Sequence, residues 1–258
     1  MFEERFAFAL PASVNFVGGG GKTSLILRLL YECSATTPTI YTTTTRIHPP
    51  QPVEGMLVLL GDHADCLQNI VNRIGQKGDP RLRQLVVAQV GSRPDLAPGL
   101  SPDFAAKIDP ELFPLLLNEA DGARSMSLKM PREGEPVLME NSNYLVPVIG
   151  LDCLNRPLGP ETLFRWEWAA ERYSLDRGRP ITPELAASLL LHPQGVCRGW
   201  RPGIRIIPYI NKVDSEDSDP LARRLAQSLL NNGQFPVECV VWGSIHHHRA
   251  DSTRERIH

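Results

Sequence analysis

Three short stretches carry the residues best suited to chemistry. The first is Val14-Asn15-Phe16-Val17-Gly18-Gly19-Gly20-Gly21-Lys22-Thr23-Ser24, an apolar run into four glycines, a lysine and two hydroxyls, with Leu25-Ile26-Leu27 following at once. Strand, glycine-rich turn and helix in that order make a cradle for phosphate. Glycines let backbone N–H groups converge on an anion, and the helix N-terminus adds the positive end of its dipole. Gly18, Gly19, Gly20, Gly21, Lys22, Thr23 and Ser24 are therefore the candidate phosphate ligands. Lys22, expected at the exposed mouth of the loop, would meet the β- and γ-phosphates, and the Thr23 hydroxyl would ligate Mg²⁺.

The second stretch, Leu115-Leu116-Leu117-Asn118-Glu119-Ala120-Asp121-Gly122, is an apolar strand ending in two carboxylates. Glu119 and Asp121 are expected to point the same way along that strand, so that both serve one metal ion beside Thr23. The third, Asn211-Lys212-Val213-Asp214, follows the apolar run 206–210. An Asp carboxylate accepts from guanine N1–H and the 2-amino group, and adenine offers neither donor there. The stem of Lys212 packs on the ring plane, and Asn211 either meets the base edge or braces the phosphate loop. A purine nucleoside triphosphate with Mg²⁺ is the implied ligand, GTP favoured over ATP.

The loop departs from the long Walker pattern because Phe16 stands where its first glycine belongs. The remaining Gly18-x-x-Gly21-Lys22-Thr23 resembles the shorter loop of Mur-type ligases. Asn-Lys-x-Asp resembles the base-reading motif of GTPases, but their Asp-x-x-Gly switch has Arg124 in place of glycine, which argues against a hydrolytic switch cycle. Weaker signals surround these. Thr42–Thr45 with Arg46 ends the strand expected beside the loop and could hold a γ-phosphate, so Arg46 joins Lys22, Glu119 and Asp121 as a candidate catalytic residue. Arg124, Lys129 and Arg132 suggest an anionic second ligand, or else a solvated loop. His246-His247-His248 could bind metal, though consecutive histidines on extended chain alternate faces. Cys153 beside Asp152 is a small core residue or, less simply, a thiol that carries selenium or sulfur.

Around these motifs, periodicity predicts strands at 38–43, 56–60, 85–90, 115–119, 144–151, 204–210 and 237–242. It predicts helices at 159–173, 182–191 and 219–230, and one capped by Asp62 that carries Leu67, Ile70, Val71 and Ile74. Strands alternating with helices imply an α/β fold, a P-loop NTPase-like three-layer sandwich on a mostly parallel sheet, as a single domain over 1–258. Ligands in such sheets sit at the carboxyl ends of strands, where every motif above falls. With 42% hydrophobic and 22% charged residues and a net charge of −2, nothing electrostatic points to nucleic acid or a membrane. No apolar run approaches a membrane span, and residues 1–11 carry acids where a signal peptide needs a basic start. Five widely spaced cysteines argue for reduced thiols in the cytoplasm.

Taken together, the motifs at 18–24, 42–47, 119–124, Leu128-Lys129-Met130-Pro131, Glu135-Pro136-Val137, 148–152 and 211–214 are similar to one family. It is the selenium-dependent hydroxylase accessory proteins, the YqeC-like family. The resemblance implies a cytoplasmic nucleotide-binding protein associated with a selenium-dependent molybdenum hydroxylase, either as client or through a cofactor precursor. The expected role is slow triphosphate hydrolysis that assists maturation of that enzyme. The alternatives are a phosphoryl or nucleotidyl transferase or ligase using ATP on a cofactor precursor, with Arg124 and Lys129 holding the acceptor, and a nucleotide-gated chaperone without chemistry.

Overall fold

The structure, a computed structural model, describes residues 1–61, 63–78, 84–92 and 95–256. The chain runs through α1 (Phe2–Phe6), β1 (Ala12–Gly18), α2 (Lys22–Cys33), β2 (Thr39–Thr43), β3 (Met56–Gly61), α3 (Ala64–Lys77), β4 (Gln84–Gln89) and β5 (Leu115–Glu119). It continues through β6 (Leu128–Lys129), β7 (Tyr144–Gly150), β8 (Leu163–Phe164), α4 (Trp166–Tyr173), α5 (Pro183–Leu190), β9 (Arg205–Ile206), β10 (Tyr209–Asn211), α6 (Asp219–Leu230), β11 (Val241–Ser244) and β12 (Arg249–Ser252). Among the described residues one large sheet has the order β12-β11-β10-β7-β1-β5-β2-β4-β3, with β9 pairing β7. Every pairing in it is parallel except β11 with β12.

Strands β5 and β7 are buried at every position and β1 at all but Ser13, as expected of parallel strands covered on both faces. Alternation assigns the faces. Val14, Phe16, Tyr41, Leu117 and Val148 pack against Leu25, Ile26 and Leu29 of α2 and Phe2 and Phe6 of α1. On the other face Val17, Leu145, Ile149 and Ile210 join Ala186, Leu190, Leu225 and Leu229 from α5 and α6, while Ile40, Leu85 and Leu116 meet Leu67 and Val71 of α3. The α/β class and the mostly parallel sheet expected from the sequence are therefore present.

Several local expectations are corrected. The helix expected over 159–173 is only α4. Leu163 and Phe164 pair with Leu128 and Lys129 in a small parallel ribbon, and Arg165, at φ +63°, turns the chain before Trp166. The strand expected over 204–210 is split at Ile207-Pro208, because proline has no N–H for a ladder. The strand expected over 237–242 begins at Val241, and Val237 makes only an isolated bridge to Ile206. Helix α1 and the antiparallel edge β12 lie outside the elements expected from the sequence. Asp62, the expected cap, lies outside the described residues, and the cap position of α3 falls on His63. Among the described residues no helix is long and apolar enough to cross a membrane.

Candidate functional site

Strand β1 lies between β5 and β7, so the chain leaves it where neighbouring connections diverge, the place where open parallel sheets form a crevice. Glu119, Gly150, Asn211 and Ser244 end the adjacent strands at the same edge. The glycine turn is seated tightly on this edge. Gly19 N–H donates to Val148 O at 2.9 Å and Gly20 N–H to Met126 O at 2.8 Å. Gly20 has φ +79°, and a Cβ there would stand 2.2 Å from Gly150 N, so only glycine fits. Helix α2 then starts at Lys22 with no capping side chain and no acid in its first turn. Its leading N–H groups, which a helix leaves without internal partners, face the crevice end of the sheet. Ser24, in that first turn, is exposed.

Lys22 is 4% exposed, not at the mouth of the loop. Its Nζ donates to Gly18 O at 2.6 Å and lies 3.1 Å from Asp121 Oδ1 and 3.9 Å from Glu119 Oε1. The two carboxylates at and just beyond the end of β5 draw the ammonium inward. Strand β5 ends at Glu119, with Asp121 two residues beyond it, and one ammonium, that of Lys22, lies within 4 Å of both. Both Asp121 oxygens accept from Gly18 N–H at 3.1 Å, and Oδ2 lies 3.0 Å from Lys129 Nζ.

Glu119 has a different environment. Its Oε2 accepts from the Thr23 hydroxyl at 2.8 Å and from the Tyr41 hydroxyl at 3.0 Å. Burial, and then the Glu119 charge, pushes the Tyr41 hydroxyl well above its usual range, so it stays a donor. A hydroxyl and a carboxylate side by side at the helix start form a donor set that fits a hard divalent cation. Tyr41 had no sequence signal, since it reads as an ordinary strand residue.

Lys129, expected in a solvated loop or on an acceptor, is 1% exposed. Its Nζ donates to Gly122 O at 2.7 Å and to Glu135 Oε2 at 3.2 Å, and Arg165 Nη1 donates to the same Glu135 oxygen at 2.7 Å. Burial works to raise Glu135, but the Arg165 hydrogen bond and the Lys129 and Arg165 charges outweigh it and hold the carboxyl at about 2. Arg132 remains largely exposed beside Glu135, and the exposed Arg124 lies over the Phe164 ring.

The Thr42 and Thr43 hydroxyls are committed to backbone, donating to Val87 O and Glu119 O, and Thr44 donates to Val137 O. Thr42 and Thr43 thus tie β2 to β4 and β5, and Thr44 ties the segment after β2 to Val137. Arg46 is exposed. In the third motif, Asn211 Nδ2 donates to Gly20 O at 2.7 Å, the bracing role rather than the base edge. Lys212 Nζ bridges Ser127 Oγ at 2.7 Å and Asp152 Oδ2 at 2.8 Å. Asp214 is exposed, with Oδ1 accepting from the Ser244 hydroxyl at 2.6 Å. Arg249 fixes this turn by donating to Val213 O and Ser215 O at 2.8 Å each. Ser244 and Arg249 were not singled out in the sequence, because nothing local links them to Asp214.

Cys153 is core: burial, then the Asp152 charge, pushes its thiol up to about 12, which leaves no thiolate to carry selenium or sulfur. His246, His247 and His248 sit on the turn between β11 and β12, with His248 Nδ1 against Arg28.

Residues 14–167 match a family model described as YqeC protein. Uncharacterized protein YqeC of Escherichia coli (strain K12) is 26% identical over 245 residues, which covers 95% of this chain and 91% of that protein. No solved structure matches.

Proposed function

Because the chain belongs to the YqeC protein family, and because its glycine turn, lysine and hydroxyl–carboxylate pair converge at one sheet edge, we propose that it binds a purine nucleoside triphosphate with Mg²⁺, GTP favoured, on a P-loop-like scaffold. The observation that carries this reading is the Thr23–Glu119 pair, 2.8 Å apart, at the uncapped start of α2 and directly beyond the glycine turn. The first-turn amides of α2 would hold phosphate oxygens, and Lys22 would move from Gly18 O and Asp121 onto the β- and γ-phosphates. Thr23 and Glu119 would hold the metal, which supplies charge neutralisation across those phosphates. Asn211 would keep the loop in shape while Asp214, oriented by Ser244, reads the base.

The protein's role on this reading is slow hydrolysis in the service of maturing a selenium-dependent molybdenum hydroxylase, a client that rests on the family resemblance. The burial of Lys129 removes one of the two cations that a transferase reading assigns to its acceptor, which favours binding with slow hydrolysis. Calorimetry with GTP and ATP, with and without EDTA, tests the core of the proposal. Binding should weaken on chelation far more for triphosphate than for diphosphate, because a metal held by Thr23 and Glu119 would neutralise charge that only the triphosphate carries in full. A protein that binds neither triphosphate ends this reading. A strain lacking the protein should lose selenium-dependent hydroxylase activity while ordinary molybdenum enzymes persist. Unchanged hydroxylase activity removes the maturation role and leaves nucleotide binding untouched.

A further inference from the structure

Two lysines share one buried carboxylate: Asp121, 0% exposed, has Lys22 Nζ 3.1 Å from Oδ1 and Lys129 Nζ 3.0 Å from Oδ2. The arrangement poses an electrostatic problem for the reading above, on which this inference rests. Lys22 must leave Asp121 to reach a phosphate. If Asp121 had no other cation, the departure would strand an unpaired carboxylate inside the protein, and such a charge is among the most unfavourable things a fold can contain.

Lys129 removes that obstacle. It is enclosed by Asp121, Glu135 and the Gly122 carbonyl. Glu135 in turn is paired with Arg165. Once Lys22 leaves, Asp121 and Glu135 still face two cations, Lys129 and Arg165. Glu119, the third buried carboxylate and the more distant partner of Lys22 at 3.9 Å, keeps the Thr23 and Tyr41 hydroxyls and would meet the metal on the reading above, while Gly18 N–H continues to hold both Asp121 oxygens. We propose that Lys129 is a positioning residue for nucleotide binding, the resident counter-ion that keeps Asp121 paired and so frees Lys22 to exchange Asp121 for a phosphate.

The role is distinct from holding an acceptor and from ligating metal. Lys129 touches no ligand, and Asp121 in this account competes with phosphate for Lys22 rather than binding Mg²⁺. The experiment is calorimetric titration of Mg²⁺ with GTP, and separately with ATP, into the full chain and its variants, each also followed by thermal melting. Lys129→Met should weaken triphosphate binding by on the order of a hundredfold, because Lys22 becomes the sole cation on Asp121. The double variant Lys129→Met/Asp121→Asn should restore affinity to about the wild-type level, since a neutral amide no longer detains Lys22. A merely structural role for Lys129 would instead make affinity follow melting temperature through every variant, whereas the counter-ion role predicts that affinity falls in Lys129→Met even at temperatures where it is fully folded. Asp121→Asn alone, which keeps the charge on Lys129, should bind triphosphate at least as tightly as wild type and decides the matter if Lys129→Met does not fold. Wild-type affinity in Lys129→Met, no recovery in the double variant, or loss of Mg²⁺-dependent binding in Asp121→Asn overturns the proposal. A wild-type protein that binds neither triphosphate overturns the nucleotide reading itself, a result easily told apart from the others.

Discussion

Asn211, at the end of β10, donates its side-chain amide to the carbonyl of Gly20 at 2.7 Å, tying together points 191 residues apart in the chain. The same side chain accepts from the Tyr209 hydroxyl at 3.1 Å, so both ends of the amide are fixed. The glycine turn and the Asn211–Asp214 turn are thereby tied directly to each other.

Asn211→Ala should therefore act on the loop rather than on base choice. Loss of the brace leaves a buried Tyr209 hydroxyl and the Gly20 carbonyl without their partner, which costs about 1–3 kcal/mol of stability. GTP and ATP affinities should fall by the same factor. Chemical denaturation and calorimetry with both nucleotides check this, and a change in the GTP-to-ATP ratio would instead place the amide on the base.

Lys22→Ala gives a second outcome that burial dictates. For a solvent-exposed loop lysine, triphosphate binding would vanish with no change in melting temperature. Here Lys22 is enclosed between Gly18 O and two carboxylates, so its removal should also destabilise the protein, by about 1–3 kcal/mol. Lys129 on Asp121 keeps the loss from being larger. An unchanged melting curve would mean that Lys22 stands in solvent.

Base choice tests Asp214. Its Oδ1 already accepts from Ser244, which orients the carboxylate and leaves Oδ2 and the remaining lone pairs toward solvent. GTP should bind more tightly than ATP by roughly 2–4 kcal/mol, because the wrong base leaves matched polar groups unpaired. Asp214→Asn should lose GTP and gain xanthosine triphosphate, whose 2-carbonyl an amide can meet by donating. Ser244→Ala should narrow the preference without abolishing triphosphate binding. Wild-type protein that prefers ATP, with Asp214→Asn indifferent to base, would reduce the motif to a turn.

Acid stability tests the buried charge network. The Glu135 carboxyl is held at about 2 against a usual 4.5. A carboxyl depressed in the folded state adds stability that is fully present above the unfolded value and lost as pH falls through the folded one. Its contribution should persist above pH ~5 and disappear between pH ~4.5 and ~2. Urea denaturation across this window should show a shallower decline for Glu135→Gln than for wild type. Parallel declines would mean that Glu135 is ionised no more easily in the fold than out of it.

The local sequence determined the strand, glycine turn and helix at 12–33, and the alternation of apolar runs determined a mostly parallel α/β sheet. Both are short-range properties. Four glycines ahead of a leucine-rich helix restrict what the backbone can do nearby, and strands buried on both faces show as unbroken apolar segments. The run 204–210 shows the limit of that reading, because its hydrophobicity was plain but Pro208 broke the ladder. Which charge meets which was decided only by the tertiary structure. Lys129 reads as a loop cation, yet the β6–β8 ribbon carries it to Asp121 and Glu135, and Tyr41 reaches Glu119 only because β2 pairs with β5. Spacing along a chain cannot reveal such partners. A buried charge is stabilised by whatever opposite charge the folded chain brings within about 3 Å of it, and for Asp121 those are Lys22, nearly one hundred residues earlier, and Lys129.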